Sequence, residues 1–300
     1  MTRSKRSSRN LAKAALNNIC VACVCLGLCG CFFSAGAPTY TTQNIAKSLK
    51  DLAREEYKID ITARLAGSTL WVYMPVEDLF IKNPKPEKYP EKFKILKNSG
   101  AVEGSRFTGE FHIQPVPMQD KSQDYKIDKK ASEKIGVLWK ILRRVLFSIE
   151  PSQREDVKFV YMVIGDVKNG FEVKEIFYVR DLKKVSYGLM SIWEFQHRVI
   201  QDSSVSPLVI GDKIGRHLEY SDLTMAEFVS RQIEYRVSLK FQKPEVEQNV
   251  DIDREISRII TETLRMYEFT DIEEAAFRNL DRNTNVTIPS PYIWGKPGKK

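Results

Sequence analysis

The 300-residue sequence predicts an α+β fold with helices packed on antiparallel hairpin sheets. Three observations predict it. An amphipathic helical pattern near residue 45 is followed by two alternating apolar segments joined by a turn, and the same order returns from about residue 132. Beyond residue 186 the apolar residues fall mostly at helical spacing, so the C-terminal half should be the more helical.

Taken in order, Ile45, Leu49, Leu52, Ala53 and Tyr57 recur every three or four residues, with Thr41 or Thr42 placed to cap and Lys47, Lys50, Asp51 and Arg54 on the wet side. This predicts a helix over 42–57. Ile59, Ile61, Ala63 and Leu65 then alternate with polar residues, Ala66-Gly67-Ser68 turns the chain, and Leu70 to Met74 returns as a second strand. Asn83 to Lys92 holds three prolines and mixed charges and predicts an exposed loop; Arg106 to Val116 predicts a short edge strand, because Pro115 and Pro117 would break a central ladder. Residues 76–130 as a whole therefore read as a Pro/Lys-rich loop region.

The second helix, capped by Ser132, places Ile135, Leu138, Ile141, Leu142, Val145, Leu146 and Ile149 on one broad face and stops before Pro151. Val157–Asp166 and Phe171–Val179 follow as a hairpin through Lys168-Asn169-Gly170, where Asn-Gly favours a tight turn. The repeated order predicts a duplicated α-β-β unit, although a helix on a hairpin is also simply a common arrangement. Tyr187–Ile200 predicts a helix through Leu189, Ile192, Trp193 and Val199. Met225 to Phe241 fits both periods and is assigned as helix; Asp253–Tyr267 is helical through Ile256, Ile259, Ile260 and Leu264; Asp271–Leu280 is open between helix and strand; and the tail from Pro289 is extended. The expected organisation is an N-terminal signal over 1–30, a tether over 31–40, an α+β region over 41–185 and a mainly helical region over 186–300, within one domain or two.

Residues 1–18 carry Arg3, Lys5, Arg6, Arg9 and Lys13 and no acid, and Ile19–Leu28 is an apolar run of about ten residues. That is the length of a signal-peptide core and well short of the roughly twenty residues a spanning helix needs. It ends in Leu28-Cys29-Gly30-Cys31, which resembles the lipobox of bacterial lipoproteins: a branched apolar residue, two small positions, then cysteine. The match covers residues 1–31 only. The resemblance implies that the Cys31 sulfur carries a diacylglyceryl group, that the Gly30-Cys31 bond is cut, and that the new amino terminus is acylated as well, with palmitate-type chains. Cys29 departs from the usual pattern at its position, and it is a poor substrate itself because Leu28 is too bulky just before a cut. Two other readings compete with this one: an ordinary secretory signal cut near Ser34-Ala35-Gly36-Ala37, and an uncleaved anchor helix running through Cys31-Phe32-Phe33. With two or more acyl chains the anchor is stable. The protein would then sit in the cell envelope, with Phe32 rather than aspartate after the cysteine favouring the periplasmic face of the outer membrane over the inner one.

Removing the signal takes the net charge from +8 to +3 and removes Cys20, Cys23, Cys25 and Cys29, while lipid caps Cys31. A nucleic-acid surface, a disulfide framework and a thiol nucleophile all lose their basis. No cofactor or metal set is expected, since His112, His197 and His217 lie far apart in sequence. Gly211 to His217 resembles a phosphate turn only loosely, without the order Gly-x-x-x-x-Gly-Lys-Ser/Thr. No catalytic motif is found. The expected partners are the membrane, through Cys31, and an envelope protein or peptidoglycan. The expected task is non-catalytic binding or scaffolding, with an enzyme or solute-binding protein for a cell-wall or lipid-derived ligand as the alternative.

Overall fold

A computed structural model describes residues 40–295. Residues 28–31, with the lipid and cleavage positions expected there, lie outside the described residues. The described chain is α+β and divides into two compact units, one built from residues up to 82 together with 125–222, the other from 83–124 together with residues from 223 onward.

The first unit realises the α-β-β order twice. Helix α1 (Ile45–Tyr57) precedes β1 (Thr62–Ala66) and β2 (Thr69–Val76); α2 (Lys129–Phe147) precedes β7 (Phe159–Asp166) and β8 (Phe171–Tyr178). The two hairpins join through parallel pairing of β2 with β7, and β9 (Ile200–Val205) adds an antiparallel edge, giving the order β1-β2-β7-β8-β9. Ile45, Leu49 and Leu52 of α1 and Leu138, Ile141, Leu142 and Val145 of α2 pack in one core with Leu70, Val72 and Met74 of β2 and Val160, Met162 and Ile164 of β7. The alternate residues of those strands, Trp71, Tyr73 and Tyr161, face the other side of the sheet. A small pair, β3 (Phe80–Lys82) with β6 (Tyr125–Ile127), closes the connection to α2.

Several local expectations are corrected. Helix α2 starts at Lys129, because Asp128 Oδ2 accepts the N–H groups of Lys130 (2.8 Å) and Ala131 (3.2 Å); Ser132 is inside the helix. The β7–β8 connection lies where expected, between Asp166 and Phe171. Val167 to Gly170 form a loop around the buried Asp166, which accepts from the backbone N–H of Asn169 at 2.7 Å and that of Leu79 at 2.8 Å. The expected helix over 187–200 is shorter, α4 (Ile192–Arg198); a separate helix, α3 (Val179–Ser186), precedes it and ends before Gly188, whose φ of 71° is the left-handed conformation that ends a helix.

The second unit corrects the reading of 76–130 as a loop. Residues Lys88–Glu103 (β4) and Arg106–Ser122 (β5) form a long hairpin in a sheet ordered β11-β10-β5-β4, where β10 is Glu274–Asn279 and β11 is Thr284–Pro289. The prolines are accommodated at free edges. Pro90 lies in the outermost strand, and Pro115 and Pro117 lie beyond the reach of β10, which pairs in parallel with β5 only from Arg106 to Phe111. That pairing also explains why the unit boundaries differ from the expected division at 185/186: residues 83–124 find their sheet partners at the C-terminal end of the chain. Helix α5 (Met225–Gln242), fixed by a capping box between Thr224 and Glu227, packs on β4, with Phe241 against Phe93 and the Asn98 amide donating to Glu234 O at 2.7 Å. Helix α6 (Ile252–Met266) buries Ile256, Ile260 and Leu264 and packs beside α5, where Arg236 donates to Thr263 Oγ1 at 2.8 Å and Lys240 pairs with Glu255 at 3.1 Å. The tail is not extended throughout, since Ser290–Trp294 form a last short helix, α7, with the Trp294 indole donating to Ile272 O at 2.8 Å.

Candidate functional site

Tyr40 sits where a tether would join the body. It is buried beside Ile149, its N–H donates to Ser148 O and its carbonyl accepts from Glu150 N, both at 2.8 Å, and Thr42 N donates to the Gln153 side chain at 2.9 Å. The last turn of α2 and the 3-10 turn Pro151–Gln153 thus hold the start of the described chain.

Of the three histidines, one lies in an assembled cluster. The far face of the first sheet is covered by residues 206–222, and His217 of that segment stands between two carboxylates: Nδ1 is 2.6 Å from Asp212 Oδ2 and Nε2 is 3.4 Å from Glu172 Oε2. Glu172 Oε1 also pairs with Lys174 at 2.6 Å and accepts from Ser204 Oγ at 3.2 Å. Tyr73 donates to Asp212 O at 2.6 Å, and the Trp71 indole donates to Ser221 O at 2.7 Å while stacking on Tyr161. Gly165 lets the segment lie flat, since a Cβ there would stand 2.6 Å from the Tyr73 hydroxyl and 2.9 Å from Val209.

The electrostatics follow the packing. Burial raises the Tyr73 phenol, and the nearby Asp212 and Glu172 raise it further, so it stays neutral. Burial alone would raise Asp212, but hydrogen bonds from the His217 ring and from the N–H groups of His217, Ile214 and Gly215 outweigh it and hold the carboxyl below its ordinary value. Glu172 is likewise pushed up by burial and brought below its ordinary value by Lys174, Ser204 and His217.

This arrangement fastens a loop. A nucleophile relay needs a hydroxyl or thiol opposite the imidazole nitrogen that the acid does not hold, and that nitrogen here faces Glu172. The two carboxylates lie on opposite sides of the ring and do not converge on one point; among the described residues no group of three or more His, Cys, Asp or Glu is placed to hold a metal ion. The loose likeness of Gly211–His217 to a phosphate turn also has an answer. The N–H groups of Ile214 (3.1 Å) and Gly215 (2.9 Å), which would cradle an anion, are already taken by Asp212 Oδ1.

The first unit also carries an open basin of about 390 Å³ outside the carboxyl ends of β2 and β7, beside the first turn of α2. Its wall mixes Lys58, Lys130, Lys134 and Lys213 with Asp60, Glu77 and Asp78 around Met74 and Val76. Asp78 pairs with Lys168 at 2.9 Å, and Asp128 is spent as a helix cap.

Sequence reasoning found neither the Asp212–His217–Glu172 cluster nor the basin, because each draws on segments far apart in the chain. The one local signal was Asp212 two residues before Ile214 in a glycine-flanked stretch, the spacing of an Asx-turn. Comparison of the chain with protein-family models, with curated proteins and with solved structures finds no match.

Proposed function

We propose that this chain is a lipid-anchored lipoprotein of the bacterial envelope whose body serves as a non-catalytic binding or scaffold module. One observation carries the proposal: a basic start, an apolar run too short to span a bilayer, and Leu28-Cys29-Gly30-Cys31 at its end. Two features of the body support it. Residues 40–295 contain no cysteine, so the thiols are confined to the proposed signal and its modified residue. Among the described residues no helix is long and apolar enough to cross a membrane, so attachment at Cys31 and attachment by a described helix do not compete.

Cys31 carries the diacylglyceryl group, the Gly30-Cys31 bond is the cut, and Phe32 favours the periplasmic face of the outer membrane. The partner of the body is an envelope protein or peptidoglycan. Cys31→Ala tests the anchor: in cells fed a labelled fatty acid, the variant accumulates as an unlabelled precursor, and normal labelling of the variant refutes the assignment. Cross-linking in intact cells identifies what is attached to the body.

A second reading, a solute-binding protein or enzyme acting on a cell-wall or lipid-derived ligand, is favoured by the basin. Ligands of open sheets with parallel strands bind outside the carboxyl ends of those strands. Chemical-shift changes confined to Met74–Asp78 and Asp128–Lys134 on adding cell-wall fragments would favour it.

A further inference from the structure

Between α3 and α4 the chain forms a knuckle, Tyr187 to Trp193, that presents three large apolar side chains to solvent: Tyr187 is 66% exposed, Leu189 77% and Trp193 47%. Backbone bonds set its shape. Gly188 N donates to Val185 O at 3.0 Å and Leu189 N to Lys184 O at 2.8 Å, which is a Schellman helix end. In such ends the residue after the left-handed glycine usually folds back onto an apolar partner in the last turn. That partner position is Lys184 here, and Leu189 projects outward instead. Ser191 then restarts the chain as a helix by accepting from Glu194 N at 3.1 Å. The leucine is thus held out between two capped helix ends.

We propose that this knuckle is a membrane-docking element: Leu189 and the rings of Tyr187 and Trp193 enter the headgroup–acyl boundary of the same bilayer that holds Cys31. The inference rests on the lipid-anchor reading. Reach carries it. Nine residue steps separate Cys31 from Tyr40, which limits their separation to about 30 Å. Tyr40 is bonded to Ser148, and the ring of the adjoining Phe147 lies 6.2 Å from that of Tyr187. The knuckle is therefore beside the point where the tether meets the body. Its chemistry fits a lipid boundary, because Tyr and Trp combine an apolar body with a polar atom and concentrate at that depth. The exposed Arg180 on α3 adds a cationic group suited to anionic headgroups, whereas Lys183 and Lys184 are paired with Glu155 and Asp181.

The test uses the lipidated full chain, purified from membranes and reconstituted into phosphatidylethanolamine–phosphatidylglycerol vesicles with brominated acyl chains. Flotation reports the anchor and tryptophan quenching reports docking. The wild-type chain floats and is quenched, and Trp193→Phe floats with most of that quenching gone. Leu189→Asp, a change at an exposed position, floats but shifts the docked-to-undocked ratio about ten-fold, the loss expected for one leucine no longer buried. A chain that floats with equal quenching in wild type and Trp193→Phe, or with none, overturns docking and leaves the anchor standing. A wild-type chain that carries no lipid on Cys31 overturns both. Exclusive protection of the knuckle by a protein in cells, with an unquenched Trp193 on vesicles, counts as overturning it.

Discussion

Glu175 offers a sharp test of the packing in the first unit. It lies in β8 on the helix-covered face, 8% exposed and beside the Trp139 indole, with the Gln201 amide donating to Oε1 at 2.9 Å. Burial pushes its carboxyl from 4.5 up to about 7, and the Gln201 and Trp139 bonds only partly oppose that. An acid whose folded value lies above its unfolded one holds its proton more tightly when folded. Stability is then highest below about pH 4.5, falls as pH rises to about 7 and is flat beyond. At 1.36 kcal/mol per pH unit, the full effect is about 3 kcal/mol. Glu175→Gln keeps the shape and cannot ionise. Urea unfolding should find it more stable than the wild type by about 3 kcal/mol at pH 8.5, with the difference shrinking toward zero near pH 4.5. A constant difference at both pH values would refute the argument that burial of an ionisable group governs this site.

Three further outcomes follow from the same structure. Asp222→Ala removes the acceptor of Ser68 N, Ser68 Oγ and Thr69 Oγ1, all within 3.0 Å of Asp222 Oδ1, and should cost about 2 kcal/mol in urea unfolding, less for Asp222→Asn. Gly165→Ala forces a Cβ against Tyr73 and Val209 and should cost ~1–3 kcal/mol, with faster amide exchange over 206–222 as its local mark. Because Asp212 is held below its ordinary value, its contribution is present above that value and lost as pH falls beneath it; amide protection of 206–222 should therefore drop in acid below about pH 4, and Asp212→Asn should remove most of that dependence.

Legibility in the sequence followed the range of the interactions. Helices α1, α2, α5 and α6 and the hairpins β1–β2 and β7–β8 were readable because their periodicity and turn residues are local. The β4–β5 hairpin was hidden by Pro90, Pro115 and Pro117, whose tolerance depends on which edge β10 leaves free. Strand β9 carries Asp202, Ser203 and Ser204, poor strand formers that pair because β8 offers an open edge. Gly188 was visible but not read as a break, and so Leu189 was assigned to a helix that starts only at Ile192, and Trp193 to an apolar face that Ile192 and Val199 join but Trp193 leaves half-exposed. The Cys31 motif is contiguous and needs no fold to be seen. The clamp around His217 needs Glu172 from β8 and Tyr73 from β2, partners that no spacing in the chain announces.

The interleaving of the two units sets an order of assembly. Every strand and helix of the first unit has been synthesised by residue 222, whereas β5 waits for β10, the strand register joining Arg106 to Glu274. Until the C-terminal segment arrives, Phe107, Phe111 and Ile113 have no core to enter. High sequence separation slows folding, and an unpaired apolar hairpin is open to aggregation while it waits. A chain truncated after α5 would carry an intact first half and a sticky, half-made second one.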